Sequence, residues 1–161
     1  MSDTKSFIGL TLFVADELPA TNNAAGFEAL TWLKVNGLVT GPAFGVTHAA
    51  VEIPDLQTGF GRAVKGMGQG MESSLSCRYI SGDAGQEKLK ELAELGGGVA
   101  SIKIGWGTGA NQALVQDDEV KYAQGFLHSY QENAATGDSF EGFTVTFRQN
   151  APHVVDEEPA P

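Results

Sequence analysis

Residues 71–98 read MESSLSCRYISGDAGQEKLKELAELGGG, and the two halves of this stretch follow different periods. Over 71–80 the side chains alternate. Met71, Ser73, Leu75, Cys77 and Tyr79 fall on one face and Glu72, Ser74, Ser76, Arg78 and Ile80 on the other, the period of a strand. From Asp83 the period lengthens. Asp83 is a favoured N-cap, and Gln86 three residues on completes a capping-box pattern. Leu89, Leu92, Ala93 and Leu95 then form an apolar stripe near the helical period, until Gly96, Gly97 and Gly98 end it. Such a helix buries one face only, so it packs on the outside of something, and a sheet is the natural support.

Working outward, the rest of the chain supplies that sheet. Strands are predicted at 7–15, 31–35 (closed by the turn pair Asn36-Gly37), 37–45 and 46–53, with a single helical turn at 24–30. Three more follow the helix, at 99–106, 118–132 and 139–149, separated by GTGANQALVQ and NAATGD. The expected fold is mainly β: a sandwich or barrel of about seven strands with one flanking α-helix. One domain is expected over 1–150, with a flexible N-terminal arm at 1–6 and a long loop at 55–70. The acidic, proline-containing segment 151–161 reads as a mobile tail.

The totals narrow the function. The 161 residues fit one domain, and 42% hydrophobic with 19% charged residues is a globular composition. The formal net charge of −10 argues against nucleic-acid binding and against anionic membrane surfaces. Cys77 is the sole cysteine, so no intrachain disulfide can form, which suits a reducing compartment. No run approaches the roughly 20 apolar residues of a membrane span. The opening MSDTKSFIGLTLFVAD lacks a basic n-region, so synthesis and folding in a cytoplasm are expected.

Chemistry is hard to find. Residues 59–70, GFGRAVKGMGQG, hold five glycines and two charges, Arg62 and Lys65. Gly61 and Gly66 have the spacing of a phosphate-binding loop, but Met67 and Gly68 stand where Lys and Ser or Thr are required. Gly59, Gly61 and Val64 break the dinucleotide fingerprint, and a strand rather than a helix follows. The segment therefore reads as a loop that is either mobile or ordered against a partner, since glycine is costly to order. GWGTGA at 105–110 fails the same fingerprint and reads as a hairpin turn. His48, His128 and His153 lie far apart without metal-ligand spacing. Cys77 reads as a small buried hydrophobe, and no GxSxG elbow occurs. Asp117, Asp118 and Glu119 read as a solvated loop edge, and Trp32 and Trp106 as core or interface anchors. No cofactor, metal or enzymatic activity is expected, and a structural building block is.

The order of segments also resembles a known family. FVADELPATNNAAGFEALTW (13–32), GLVTGPAFGVTH (37–48), the glycine loop and DAGQEKLKEL (83–92) together look like the tail tube protein of long-tailed, non-contractile bacteriophages and of related gene transfer particles. The resemblance covers roughly 7–150 and lacks the extra immunoglobulin-like domain of larger members. It implies a structural virion protein, assembled in the host cytoplasm. Six subunits would form a ring, and rings would stack into a tail tube through which DNA leaves without stable binding. The implied partners are further copies of the chain and the tail terminator, tip or initiator, and tape measure proteins. Six copies at −10 each would carry a formal −60, which repels phosphate. In such a tube Phe60, Val64 and Met67, with Arg62 and Lys65, would make inter-ring contacts. Glu52, Glu72, Ser74, Ser76, Ser101, Thr144 and Thr146 are the candidates to line the lumen, on faces that also hold Arg78, Lys103 and Arg148. Those faces read equally well as plain outer surface. Two other readings stay open: a tube component of a bacterial secretion system, and a small-ligand-binding β-barrel.

Overall fold

The computed structural model describes residues 4–161, so the first three residues of the arm expected at 1–6 lie outside the described residues. The elements run β1 (Leu10–Ala15), α1 (Ala24–Glu28), β2 (Leu33–Val35), β3 (Leu38–Thr40), β4 (Val46–Ile53), β5 (Arg62–Gly70), β6 (Glu72–Arg78), α2 (Ala84–Glu94), β7 (Ala100–Trp106), β8 (Glu119–Glu132), β9 (Gly142–Gln149) and β10 (Val154–Glu157). The fold is mainly β with one substantial helix on its flank, as the two periods of residues 71–98 predict.

Eight strands make one antiparallel sheet in the order β2-β1-β7-β8-β9-β6-β3, with β10 also paired to β8. The two ends of that order are neighbours in sequence, joined by Asn36 and Gly37 alone. β2 bonds β1 while β3 bonds β6, so residues 33–40 form one interrupted strand between the two edges. The sheet thus rolls onto itself. Asn36-Gly37 makes a kink rather than a hairpin, because its flanking strands pair with others. Gly37 takes φ +76°, and a Cβ there would lie 2.8 Å from the Arg78 carbonyl oxygen, so only glycine fits.

The concave face holds the core. Leu12 and Val14 of β1, Leu75 and Cys77 of β6, Ile102 and Ile104 of β7, Ala123 and Leu127 of β8, and Phe143, Val145 and Phe147 of β9 all bury there with Leu89 and Leu92 of α2. Leu75 and Cys77 point inward and Glu72, Ser74 and Arg78 outward, the alternation read from 71–80. Leu95 departs from the stripe. The helix ends at Glu94 and Leu95 is extended, which leaves it 56% exposed. Asp83 caps α2 through Gln86 N–H, 3.1 Å away. The Gln86 side chain does not return to close the capping box. It accepts from Ile80 N–H (3.0 Å) and donates to the Asn36 (2.6 Å) and Arg78 (2.8 Å) carbonyls, tying the β2–β3 kink to the end of β6.

A second, smaller core covers the opposite face of β7 and the first half of β8. Phe27 of α1 stacks on Tyr122 at 5.1 Å, Trp32 leans on the same ring at 5.9 Å, and the Trp32 indole N–H donates to the Phe27 carbonyl. This patch accounts for Trp32 as a core anchor. Trp106 sits at the surface instead, stacked on Phe7 and donating to the Ser6 carbonyl, so the described part of the N-terminal arm is held down. Lys5 adds an ion pair to Glu119 at 2.8 Å.

Three sequence readings need correction. Residues 62–70 are strand β5, not loop; the true connection spans 54–61. The segment 151–161 is no free tail, since β10 pairs with β8 and Glu158 meets the buried Lys103 at 2.6 Å. Asp118 is buried rather than a solvated edge. It accepts from Thr108 N–H, Thr108 Oγ1–H and Val115 N–H, and these bonds, that of Val115 first, hold its carboxyl below the usual range.

Candidate functional site

β4 and β5 form a two-stranded antiparallel ribbon separate from the main sheet, paired from Val46↔Gly70 to Ile53↔Arg62 with a bulge between His48 and Ala50. Every residue of β4 is exposed, and all but Gly66 and Gly70 of β5. At the root, Met71 N–H donates to the Gly45 carbonyl at 3.1 Å, which closes the ribbon where it leaves the body. Gln149 holds the root to the main sheet: its Oε1 accepts from Gly45 N–H and its own N–H donates to the Met71 carbonyl. Gly70 packs so closely on Gln149 that any Cβ would overlap the Gln149 carbonyl.

Pairing sorts the ribbon's side chains. At the bulge one residue of β4, Ala49, opposes two of β5, Gly66 and Met67, so the faces run Val46, His48, Ala50 and Glu52 with Gly70, Gly68, Lys65 and Ala63, and Thr47, Val51 and Ile53 with Gln69, Val64 and Arg62. Gly66, Gly68 and Gly70, alternate residues in the second half of β5, leave room for what packs beside them. A Cβ at Gly68 would meet the His48 imidazole at 2.8 Å, and one at Gly66 the Ala49 carbonyl oxygen at 2.7 Å. The tip is a built turn. Asp55 Oδ1 accepts from Gln57 N–H (2.9 Å) and Thr58 N–H (3.2 Å), and Gly59 N–H returns to the Asp55 carbonyl with φ +71°. These bonds, that of Thr58 N–H first, hold the Asp55 carboxyl below the usual range. From this turn Leu56 and Phe60 project 99% and 80% exposed, and Met67 on the shaft is 82% exposed.

The residues named for inter-ring contact are therefore gathered on one projecting element, though not on one face. Phe60 is at the tip, Lys65 lies on the face of His48 and Glu52, Arg62 and Val64 on the face of Val51 and Ile53, and Met67 at the bulge. Val51, Ile53 and Leu56 project from the same element; sequence passed over Val51 and Ile53 because 46–53 reads as an ordinary sheet strand, and Leu56 because it stands in a segment read as loop.

The residues named for the lumen divide. Ser74 lies opposite Thr146, Ser76 opposite Thr144 and Glu72 opposite Arg148 on the convex face of β6 and β9, with Ser76 and Thr144 hydroxyls 3.1 Å apart. Glu72 also faces His128 at 3.3 Å and Arg148 at 3.5 Å. Ser101 has the right parity but is fully buried, donating to the Glu17 carbonyl at 2.6 Å. It cannot line a channel in this fold, and the same cover hides Lys103. Glu52 belongs to the ribbon, away from this face.

Burial pushes the Cys77 thiol up to about 12, leaving essentially no thiolate near neutrality. Among the described residues no three His, Cys, Asp or Glu side chains gather as metal ligands, and no helix is long and apolar enough to cross a membrane.

No protein-family model and no curated protein matches the chain. Solved structures do. A chain of the anti-feeding prophage tube-terminating cap superposes with a TM-score of 0.62 at 13% identity, over 98% of this chain and 94% of that one. One from the sheath–tube complex of an extracellular contractile injection system, PVC, gives 0.58 at 14%, over 99% and 100%. One from the anti-feeding prophage baseplate gives 0.62 at 8%, over 99% and 98%. The fold is tail-tube-like. At these identities the likeness is one of architecture, over nearly the whole chain.

Proposed function

We propose that this chain is a non-enzymatic structural subunit that self-associates in rings and stacks into the tube of a phage-like particle. The observation that carries the reading is the β4–β5 ribbon. A two-stranded ribbon is at best marginally stable in water, and this one exposes both faces, both edges and several large apolar side chains. Covering Leu56 or Phe60 would contribute about 1.5–3 kcal/mol each. The covering surface we assign is another copy, with Phe60, Arg62, Val64, Lys65 and Met67 at the inter-ring contact. Support for ring and tube comes from the places that chains of this fold occupy: a tube-terminating cap, a sheath–tube complex and a baseplate treated as six-fold symmetric. The sheath–tube complex is that of a contractile injection system, which favours a contractile particle over the non-contractile tail of the sequence resemblance. On this reading six subunits make a ring, a terminator, an initiator and a tape measure bound the tube, and the particle assembles in the host cytoplasm. The charge of −10 per subunit suits a conduit for DNA that must not adhere.

The test is excision. Because Gly45 and Met71 are already bonded at the root, residues 46–70 can be replaced by an Asn-Gly turn. Wild type at high concentration is expected to give rings or tubes in negative stain. The ribbonless chain is expected to keep its circular dichroism and stay monomeric. Normal tubes from the ribbonless chain would overturn the proposal.

A further inference from the structure

The rolled sheet does not close along its whole seam. β1 bonds β2 only through Leu12–Val14, and β3 bonds β6 alone. Between residues 7–11 and 38–43 the walls splay, leaving a cleft of about 920 Å³. Phe7, Ile8 and Val39 stand largely exposed on its apolar walls. Its charged side chains are Lys34 and Arg78, and no Asp or Glu lines it, in a chain whose net charge is −10. The β3 wall is a strand edge with no partner among the described residues, the kind of surface that takes up an extended segment.

The ribbon tip has the complementary character. Between Glu52 and Gly61 it carries Glu52 and Asp55 and no basic residue, with Leu56 and Phe60 projecting. Its turn is fixed by the Asp55 hydrogen bonds, so little ordering remains to be done on docking. It is out of reach of its own cleft. Residues 40–43 of the cleft adjoin the ribbon's root, and the eight residues of β4 carry the tip roughly 26 Å away.

We infer that the tip of one copy, residues 52–61, seats in the β1–β3 cleft of the next, with Leu56 and Phe60 against the apolar walls and Glu52 and Asp55 toward Lys34 and Arg78. The inference rests on the self-assembly proposed above and names the receptor for the ribbon. The contact is head-to-tail. Each copy offers one donor and one acceptor, and such contacts propagate until a ring closes or a filament grows.

A peptide of residues 52–63, cyclised through its ends where Glu52 pairs with Ala63, is the probe. It is titrated into the full chain carrying Leu56→Ser and Phe60→Ser, whose own tip no longer competes. Calorimetry is expected to show saturable binding, and hydrogen exchange to slow at residues 8–11 and 38–43. Adding Arg78→Glu to the chain should weaken binding at least tenfold, and Glu52→Lys in the peptide, which leaves the Asp55 turn intact, should recover part of the loss. Arg78 is exposed, and circular dichroism checks the fold; Val39→Asp on the other wall serves as a second variant with the same expected loss. Absence of saturable binding, or protection elsewhere, overturns the inference. Wild-type tubes without peptide binding would remove the cleft and leave the tube reading standing. Peptide binding at the cleft, with a wild type that never assembles, would do the reverse.

Discussion

Gln86→Ala is expected to loosen the closure of the sheet by a sizeable fraction of the protein's stability. Gln86 is 3% exposed, and its amide serves three main-chain groups: Ile80 N–H, the Asn36 carbonyl and the Arg78 carbonyl. Truncation leaves all three without this partner. At about 0.5–1.5 kcal/mol net for each hydrogen bond the sum of three is roughly 1.5–4.5 kcal/mol, and some rehydration of this partly buried site favours the lower half. For a chain of this size that is a fall in Tm of about 5–10 °C. Urea unfolding followed by tryptophan fluorescence should show the midpoint drop with an unchanged m-value. Two further substitutions separate causes. Gln86→Leu restores volume but no hydrogen bonds, so it should lose nearly as much as alanine. Gln86→Glu keeps the acceptor for Ile80 but sets a carboxylate against two carbonyls. Its folded-state pKa should therefore rise, and its stability should improve as pH falls and the carboxyl protonates. The amide of Arg78, bonded to the Gly37 carbonyl at 2.8 Å, should exchange faster in all three. Alanine and leucine variants both within 0.5 kcal/mol of wild type would refute the reasoning, because the closure would then rest on packing alone.

Glu158→Gln should destabilise by about 2–3 kcal/mol in chemical denaturation, somewhat under the 3–5 of a fully buried pair because Glu158 keeps 21% of its side chain in water. Gly70→Ala should cost at least about 1–3 kcal/mol, the usual range for overpacking, since the new methyl overlaps main chain at Gln149; hydrogen exchange should place the damage at the ribbon root. Cys77 should react with aromatic disulfide reagents at pH 8 only as fast as the chain opens, and reaction at a free-thiol rate would contradict its burial. With a folded pKa near 12 against an ordinary 9.0, its unfolded form loses the proton first, so this thiol lowers stability progressively as pH rises from about 9 to 12.

The elements that were legible in sequence are those with one face on the core. β6 alternates because Leu75 and Cys77 meet the core while Glu72, Ser74 and Arg78 meet water, and α2 shows its stripe for the same reason. β5 has no such contrast. Neither of its faces meets a core of its own chain, so hydrophobic alternation has nothing to record, and the strand passes for a loop. A period of two was present all the same, in Gly66, Gly68 and Gly70, each yielding space to a side chain or main chain beside it. β10 was hidden differently. Its stability comes from β8 and from Lys103, both remote in sequence, while its own composition is that of a free tail. Ser101 shows the limit of parity: alternation assigns a residue to a face and says nothing of what the segment before α1, here Glu17, will lay over that face.

That cover changes the electrostatic argument for a lumen. With Ser101 and Lys103 buried under the smaller core and Glu52 on the ribbon, the convex face left from the original set is Glu72, Ser74, Ser76, Thr144 and Thr146, flanked by Arg78 and Arg148. Glu72 is matched by Arg148 and His128, so this surface carries no acidic excess. The acids behind the charge of −10 lie largely elsewhere: Glu87, Glu91 and Glu94 on α2, Asp156 and Glu157 on β10, and Glu52 and Asp55 on the ribbon. If β6 and β9 face the channel, a polyanion slides past paired hydroxyls and balanced charge, and the negative field reaches it through the wall from outside. Screening then matters: charges farther away than the roughly 8–10 Å Debye length of physiological salt are largely screened, so that field arrives much weakened. Low adhesion in such a channel follows from the scarcity of unpaired cations on its lining more than from repulsion by the total charge.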